Sequence, residues 1–308
     1  MIATNEPGRT AADMYEVETE ELDFLTHNGV SLRARIYRPR GRGPFPAMVD
    51  AHGGAWIQGS FINNDPINRP IAAGGVVVMA IDYSLPPVGT YPSSVADMNY
   101  AIRWLKKHAQ RYDTKSQWVG AMGTSSGGHL AVLAAIKPHD SRYANLPLEE
   151  GSAFDAEVAC VVTMWPVICP RTRFSENLER QTRGDQSYAA RVGGGLNQMK
   201  YWLTEDAMSD GSPMLAVERG DKVVMPDMLY VQASGDNLHP RHCMDRFCEA
   251  YRKRGGRVEA LLIEGEPYDL VRTKAECGEA KRAVKRIIEF IHERKAHVDL
   301  ATASGSAV

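Results

Sequence analysis

The chain has 308 residues, with 36 Lys and Arg against 38 Asp and Glu for a formal net charge of −2; 44% of its residues are hydrophobic and 24% charged. That balance offers no basic field for nucleic acid or an anionic surface, and the length and apolar content suit one α/β unit with a large core. Five cysteines (Cys160, Cys169, Cys243, Cys248, Cys277) in no zinc-ribbon spacing, no apolar run long enough to span a bilayer, and no basic-then-apolar start imply a soluble, cytoplasmic protein with reduced thiols.

Residues 1–15 are polar and are expected to be loose. "EVETEELDFLTHNGVSLRARIYRP" reads as two strands joined by a turn at Asn28-Gly29. "FPAMVDAHGG" is a short apolar run ending in glycines, and "GGVVVMAIDYS" is a buried strand. Ser93 and Ser94 stand where they can cap the next helix, whose apolar face carries Val95, Met98, Ile102, Leu105 and Ala109. "WVGAMGTSSGGHLAVLAAI" gives strand, tight turn and helix. "VACVVTMWPV" and "MPDMLYVQASGD" are further strands. The helix after the second places Met244, Phe247, Cys248 and Tyr251 on one face and stops at Gly255-Gly256. "VEALLIEG" is the last strand, and the last helix buries Ala280, Val284, Ile287, Ile288 and Ile291. Residues 297–308 are expected to fray.

Strand–helix alternation of this kind implies a mostly parallel central sheet with helices on both faces, and the opening hairpin adds an antiparallel edge. Ligands then sit beyond the C-terminal ends of the strands. The stretch from about 166 to 224 is polar and poorly periodic; within a domain of residues 16–296 it reads as a modest lid.

Residues 123–127, "GTSSG", fit G-x-S-x-G between a strand and a helix. A serine on that turn is lifted out of the sheet at a helix N-terminus, which makes Ser125 the candidate nucleophile. "HGGAW", residues 52–56, follows a strand, and its adjacent glycines let backbone N–H groups face a cavity. Gly53, Gly54 and Ala55, with Ser126, are the candidate oxyanion donors. His52 reads as a structural side chain bonded to loop backbone.

These segments resemble the hormone-sensitive-lipase-like branch of α/β-hydrolase carboxylesterases. "HGGAW", "DYSLPP" and "GTSSGGHLA" stand in that family's order, and the likeness covers roughly residues 20–295. The resemblance implies an ester hydrolase acting on a small-molecule substrate, with no metal or organic cofactor and with a homodimer allowed. It also implies an acid after the next-to-last long strand, where "ASGDNLHP" supplies Asp236. The family's base is a histidine in a G-x-x-H pattern after the last strand. Here that pattern reads Gly265-Glu266-Pro267-Tyr268.

A tyrosine of ordinary pKa near 10 is ionised in only about one molecule in a thousand at pH 7, so it is a poor substitute for a neutral imidazole. Three readings follow. Another histidine is the base, with His239 three residues beyond Asp236 as the candidate, although a first-turn helix residue is the favoured reading of it. Or the site has left ester hydrolysis for proton transfer, C–C chemistry or cyclisation, with Tyr268 as acid or hydrogen-bond donor; as a base, Tyr268 would need its pKa lowered, for which Arg272, four residues on, is the nearby cation. Or the pocket only binds, as in plant gibberellin receptors, which resemble the same family and lack the triad histidine. The expectation is a hydrolase built on Ser125, Asp236 and Tyr268. His239, His242 and Cys243 lack a third ligand elsewhere and are not read as a metal site. Tyr201 and Trp202 read as lid packing, Trp165 and Pro166 as pocket rim, and Glu266 and Asp269 as solvated loop charges.

Overall fold

The computed structural model describes residues 14–27, 29–148, 153–185, 196–265 and 267–305. Its frame is one sheet of eight strands: β1 (Val17–His27), β2 (Val30–Pro39), β3 (Ala47–Ala51), β4 (Val77–Ile81), β5 (Val119–Thr124), β6 (Val161–Met164), β7 (Met228–Ala233) and β8 (Val258–Ile263). The order is β1-β2-β4-β3-β5-β6-β7-β8. β1 and β2 run antiparallel, as does the β2–β4 pair, and every later pair is parallel. β3, β4, β5, β6 and β7 are buried along their whole length. Side chains that are apolar on both faces can be satisfied only in the middle of a sheet covered on both sides.

Two helical layers provide that cover. α1 (Asp65–Ala73) lies on one face, and α2 (Ser93–Lys107) and α3 (Ser126–Ile136) on the other. Alternation along β3 sorts the core. Met48 joins Ile67 and Ile71 of α1, and Val49 joins Met98 and Ile102 of α2. α3, "SGGHLAVLAAI", is buried on every side and is apolar nearly all round.

The stretch expected to be irregular is largely helical: α4 (Pro170–Thr182), α5 (Leu196–Trp202), α6 (Glu205–Asp210) and α7 (Pro213–Arg219). The helices are short and start at local caps, Cys169, Thr204 and Ser212, each accepting a backbone N–H. Then come α8 (Arg241–Lys253), α9 (Leu270–Thr273) and α10 (Gly278–Ala303).

Several expectations need correction. Ser94 does not cap α2; its hydroxyl donates to the Ser84 carbonyl, and Pro92 holds the cap position. Residues 297–303, expected to fray, continue α10, where Trp118 Nε1 donates to Asp299 at 2.9 Å. Tyr15, expected to be loose, donates its N–H to the Ala73 carbonyl and packs edge-on against Phe45. Asn28 of the expected turn, residues 1–13, Glu266 and residues 186–195 of the lid stretch lie outside the described residues. The edge strand is charged rather than bare: Glu18 is opposite Arg38 and Glu21 opposite Arg35, each pair bridged. Charges along an edge discourage pairing with a second sheet.

Candidate active site

The turn from β5 into α3 is forced by packing. A Cβ on Gly123 would sit 2.5 Å from the Gly127 carbonyl, and one on Gly127 would sit 2.0 Å from the Ala51 oxygen. Neither position accepts a side chain. Between them Ser125 adopts φ 51°, ψ −117°, a conformation that costs a non-glycine residue of the order of 1–3 kcal/mol and is tolerated where the surroundings over-determine it. Its N–H donates to the Met164 carbonyl, and its own carbonyl accepts from Val167 and His129.

Ser125 Oγ lies 3.2 Å from His239 Nε2, and His239 Nδ1 lies 2.9 Å from Asp236 Oδ2. The His239 side chain is 2% exposed and that of Asp236 is fully buried. The other carboxylate oxygen, Oδ1, accepts the backbone N–H groups of Leu238 and His239. The acid therefore folds its own loop and orients the ring three residues on. Gln232 at the end of β7 donates to the His239 carbonyl at 2.9 Å and ties the loop to the sheet. Burial raises the Asp236 carboxyl, but the His239 charge and the hydrogen bonds outweigh it and hold the carboxyl below its ordinary value.

This geometry reverses the ranking of the two base candidates. His239 precedes α8 and occupies the position next to the serine, whereas Tyr268 makes an edge-on ring contact with His239 at 5.5 Å between centroids. Tyr268 is half-buried and lines the cavity beside Ser125. Arg272, expected near the Tyr268 phenol, is bonded to Asp269.

The loop after β3, where backbone donors are expected, packs against the turn that carries Ser125. Gly53 lies so close that an added Cβ would be 3.2 Å from the Ser125 Cβ. Gly54 takes φ +134° and its carbonyl accepts from Ile57 and Gln58, which turns the peptide plane of the loop. Gly53 and Gly54 line the cavity; Ala55, at φ 54°, is buried and does not. The Ser126 N–H is in the first turn of α3 and has no intrahelical acceptor. His52 stacks on Tyr83 with centroids 4.4 Å apart, its Nδ1 is 2.7 Å from the Gly53 carbonyl, and burial depresses it to about 4. It is a neutral prop for the loop.

A buried amide–carboxyl network underlies both turns. Asp50 on β3 accepts from Asn64 at 3.1 Å and from Asn68 at 2.7 Å, and Asn64 accepts from the Thr124 hydroxyl at 3.1 Å. With no cation beside it, burial pushes the Asp50 carboxyl up to about 6. On the other side Trp56 donates to His129 Nδ1 at 3.2 Å and stacks on Tyr201, with Trp202 edge-on. His129 Nε2 is 2.7 Å from the Gly211 carbonyl. Tyr201 and Trp202 are fully buried core residues, so α5 is clamped onto the oxyanion loop.

The cavity at Ser125 has a volume of about 320 Å³. Gln58, Asn63, Trp165, Tyr268, Asp269 and Arg272 form its outer walls. Asp269, expected as a solvated charge, is 5% exposed. Among the described residues no group of three or more His, Cys, Asp or Glu side chains is arranged to hold a metal ion, and no helix is long and apolar enough to cross a membrane.

The sequence reading missed the Asp50 network and the Trp56–His129 bond. The first had a signal, a lone carboxylate in the apolar strand "AMVDA". The second joins residues 73 positions apart and had none.

A BD-FAE family profile matches residues 35–238. The esterase LipC of Mycobacterium tuberculosis is 27% identical over 266 residues, covering 82% of this chain and 60% of LipC. The arylesterase of Saccharolobus solfataricus is 31% identical over 112 residues, 36% of this chain and 37% of that protein. The chain thus spans less than two thirds of the length of these curated relatives. Among solved structures, the Pyrobaculum calidifontis esterase superposes with a TM-score of 0.71 at 26% identity, covering 93% of this chain and 88% of its own. The Thermogutta terrifontis esterase Est2 gives 0.67 at 24%, covering 92% and 96%, which speaks for the fold. The chain belongs to the BD-FAE family of α/β-hydrolase-fold proteins.

Proposed function

We propose that the protein is a serine hydrolase of small carboxylic esters, in the hormone-sensitive-lipase-like branch, with His239 rather than a residue after β8 as its base. The observation that carries this reading is the unbroken chain Ser125 Oγ–His239–Asp236, with links of 3.2 and 2.9 Å. A pocket that only binds has no chemical need for a buried relay of this kind.

In this mechanism His239 Nε2 takes the Ser125 proton as Oγ adds to the ester carbonyl. Asp236 fixes the tautomer by accepting Nδ1–H and stabilises the imidazolium. The tetrahedral oxyanion forms in front of the N–H groups of Gly53, Gly54 and Ser126, each such donor being worth about 2.7–4 kcal/mol of barrier. His239 then returns the proton to the leaving alkoxide, and water activated by the same ring cleaves the acyl-serine. Tyr268 borders the cavity and takes no proton.

Hydrolysis of p-nitrophenyl butyrate and labelling by a fluorophosphonate probe test the reading. Turnover by the wild type, loss in Ser125→Ala and an adduct on the peptide carrying Ser125 are expected. An inert wild type that takes up no probe would refute it.

A further inference from the structure

The cavity beside Ser125 holds one charged pair, Asp269 and Arg272, both on the segment after β8. The pair is lopsided. The Asp269 side chain is 8% exposed and that of Arg272 is 35% exposed. Asp269 also accepts from the Thr273 hydroxyl at 3.3 Å, so it is held from two sides. The carboxylate is thus the more buried half of the pair, and the guanidinium, on a residue that also lines the cavity, is the more exposed half. A guanidinium has five N–H donors in a planar fork. Among the described residues Arg272 spends them in a hydrogen bond to Asp269 alone.

The rest of the outer wall suits the same chemistry. Gln58 and Asn63 are neutral amides, and Asn63 Oδ1 already accepts from Ser60, which leaves its NH2 donors for a ligand. Among the described residues no carboxylate other than Asp269 lines the cavity, and Trp165 and Tyr268 are the large aromatic side chains in its wall. A volume of about 320 Å³ is at the small end of ligand sites. Such a wall discriminates little among neutral alkyl esters. It rewards a second, anionic group a short distance from the scissile carbonyl.

We infer that Arg272, oriented by Asp269, is a specificity-determining residue that selects small esters carrying a carboxylate, such as half-esters of short dicarboxylic acids. This rests on the ester-hydrolase reading of Ser125. Arg272 forms a charge-assisted, two-pronged contact to the distal carboxylate and so sets which end of the substrate faces the oxyanion loop.

The experiment compares p-nitrophenyl hemisuccinate (anion on the acyl side) and 4-acetoxybenzoate (anion on the alcohol side) with neutral p-nitrophenyl butyrate and phenyl acetate. The enzymes are wild type, Arg272→Gln and Arg272→Lys. A wild-type preference for one anionic ester is expected, with its kcat/KM falling at least ~10-fold in Arg272→Gln, mainly through KM, while the neutral esters change little. Arg272→Lys is expected to recover part of the preference, because it keeps the charge and loses the fork. A drop shared equally by anionic and neutral esters would overturn the inference, since it would mean Arg272 only supports the loop. Calorimetry of monomethyl succinate binding to Ser125→Ala and to Ser125→Ala/Arg272→Gln separates the two readings. Arg272-dependent binding by a wild type that cleaves no ester would uphold the anion site and refute the hydrolase. Cleavage with binding indifferent to Arg272 would do the reverse.

Discussion

Replacing His239 by Ala removes the one imidazole within hydrogen-bond reach of Ser125 among the described residues. The loss follows from the geometry. The ring accepts from Oγ at 3.2 Å and donates to Asp236 at 2.9 Å, and the His239 and Asp236 side chains are at most 2% exposed, so the imidazole has no ready replacement as base. In a relay that works as a unit, loss of the base costs about 10⁴-fold or more in kcat, which is about 5–6 kcal/mol of barrier at 1.36 kcal/mol per decade. Stability changes less. Asp236 loses its Oδ2 partner but keeps two backbone N–H bonds at Oδ1, so a deficit of about 1–3 kcal/mol is expected. The assay is initial-rate hydrolysis of p-nitrophenyl butyrate, with thermal unfolding of the same sample to certify the fold. Asp236→Asn belongs in the same series, because it leaves the ring in place and removes the charge that orients it. A folded His239→Ala that keeps activity within about tenfold of wild type, alongside a Tyr268→Phe that loses it, would show the proton relay to be wrongly assigned.

Other outcomes follow from the same structure. Tyr268→His is expected to bring no gain beyond about tenfold on neutral esters, measured by the same assay, because Ser125 already has a histidine partner. Gly127→Ala places a Cβ 2.0 Å from the Ala51 oxygen, and backbone on both sides cannot give way, so soluble yield or melting temperature should fall sharply and activity with it. Asp50 is raised to about 6, above its unfolded value near 3.8, so the folded state binds more protons between those limits and stability falls as pH rises through them, by about 3 kcal/mol. Urea unfolding at pH 4 and pH 7 should therefore show Asp50→Asn gaining on wild type as pH rises. His52 and His129, both depressed to about 4, act in the opposite sense, with stability complete above about 6.5 and lost as pH falls toward 4. Their contribution is common to both proteins and cancels in the comparison.

The sheet was legible because apolar runs such as "VVMAI" and "VVTM" admit one environment, a strand covered on both faces. The elbow was legible because its glycines are sterically compelled. What defeated the sequence was direction. "DNLH" can present its histidine to a helix or to a serine, and the choice is made by Asp236 accepting the N–H groups of Leu238 and His239, which curls the loop back on itself. No periodicity reports that curl. The lid stretch failed for another reason. Its helices are six to thirteen residues long, too short for a clear 3.6-residue repeat, and they are held by contacts such as Trp56 against Tyr201 that bridge distant segments.

The placement of acid and base three residues apart has a consequence for how this protein varies. Where the two sit on separate loops, both loops are frozen by the chemistry. In the proposed mechanism one short connection between β7 and α8, moored by Gln232, carries the whole proton-handling pair. The less buried positions of the segment after β8, such as Pro267, Arg272 and Thr273, are then free to change size or charge without unsettling the relay, while Leu270 and Val271 stay in the core. Randomising those three positions should yield libraries in which a large share of members still cleave an activated ester and differ in what they accept, whereas randomisation of residues 236–239 should leave almost none.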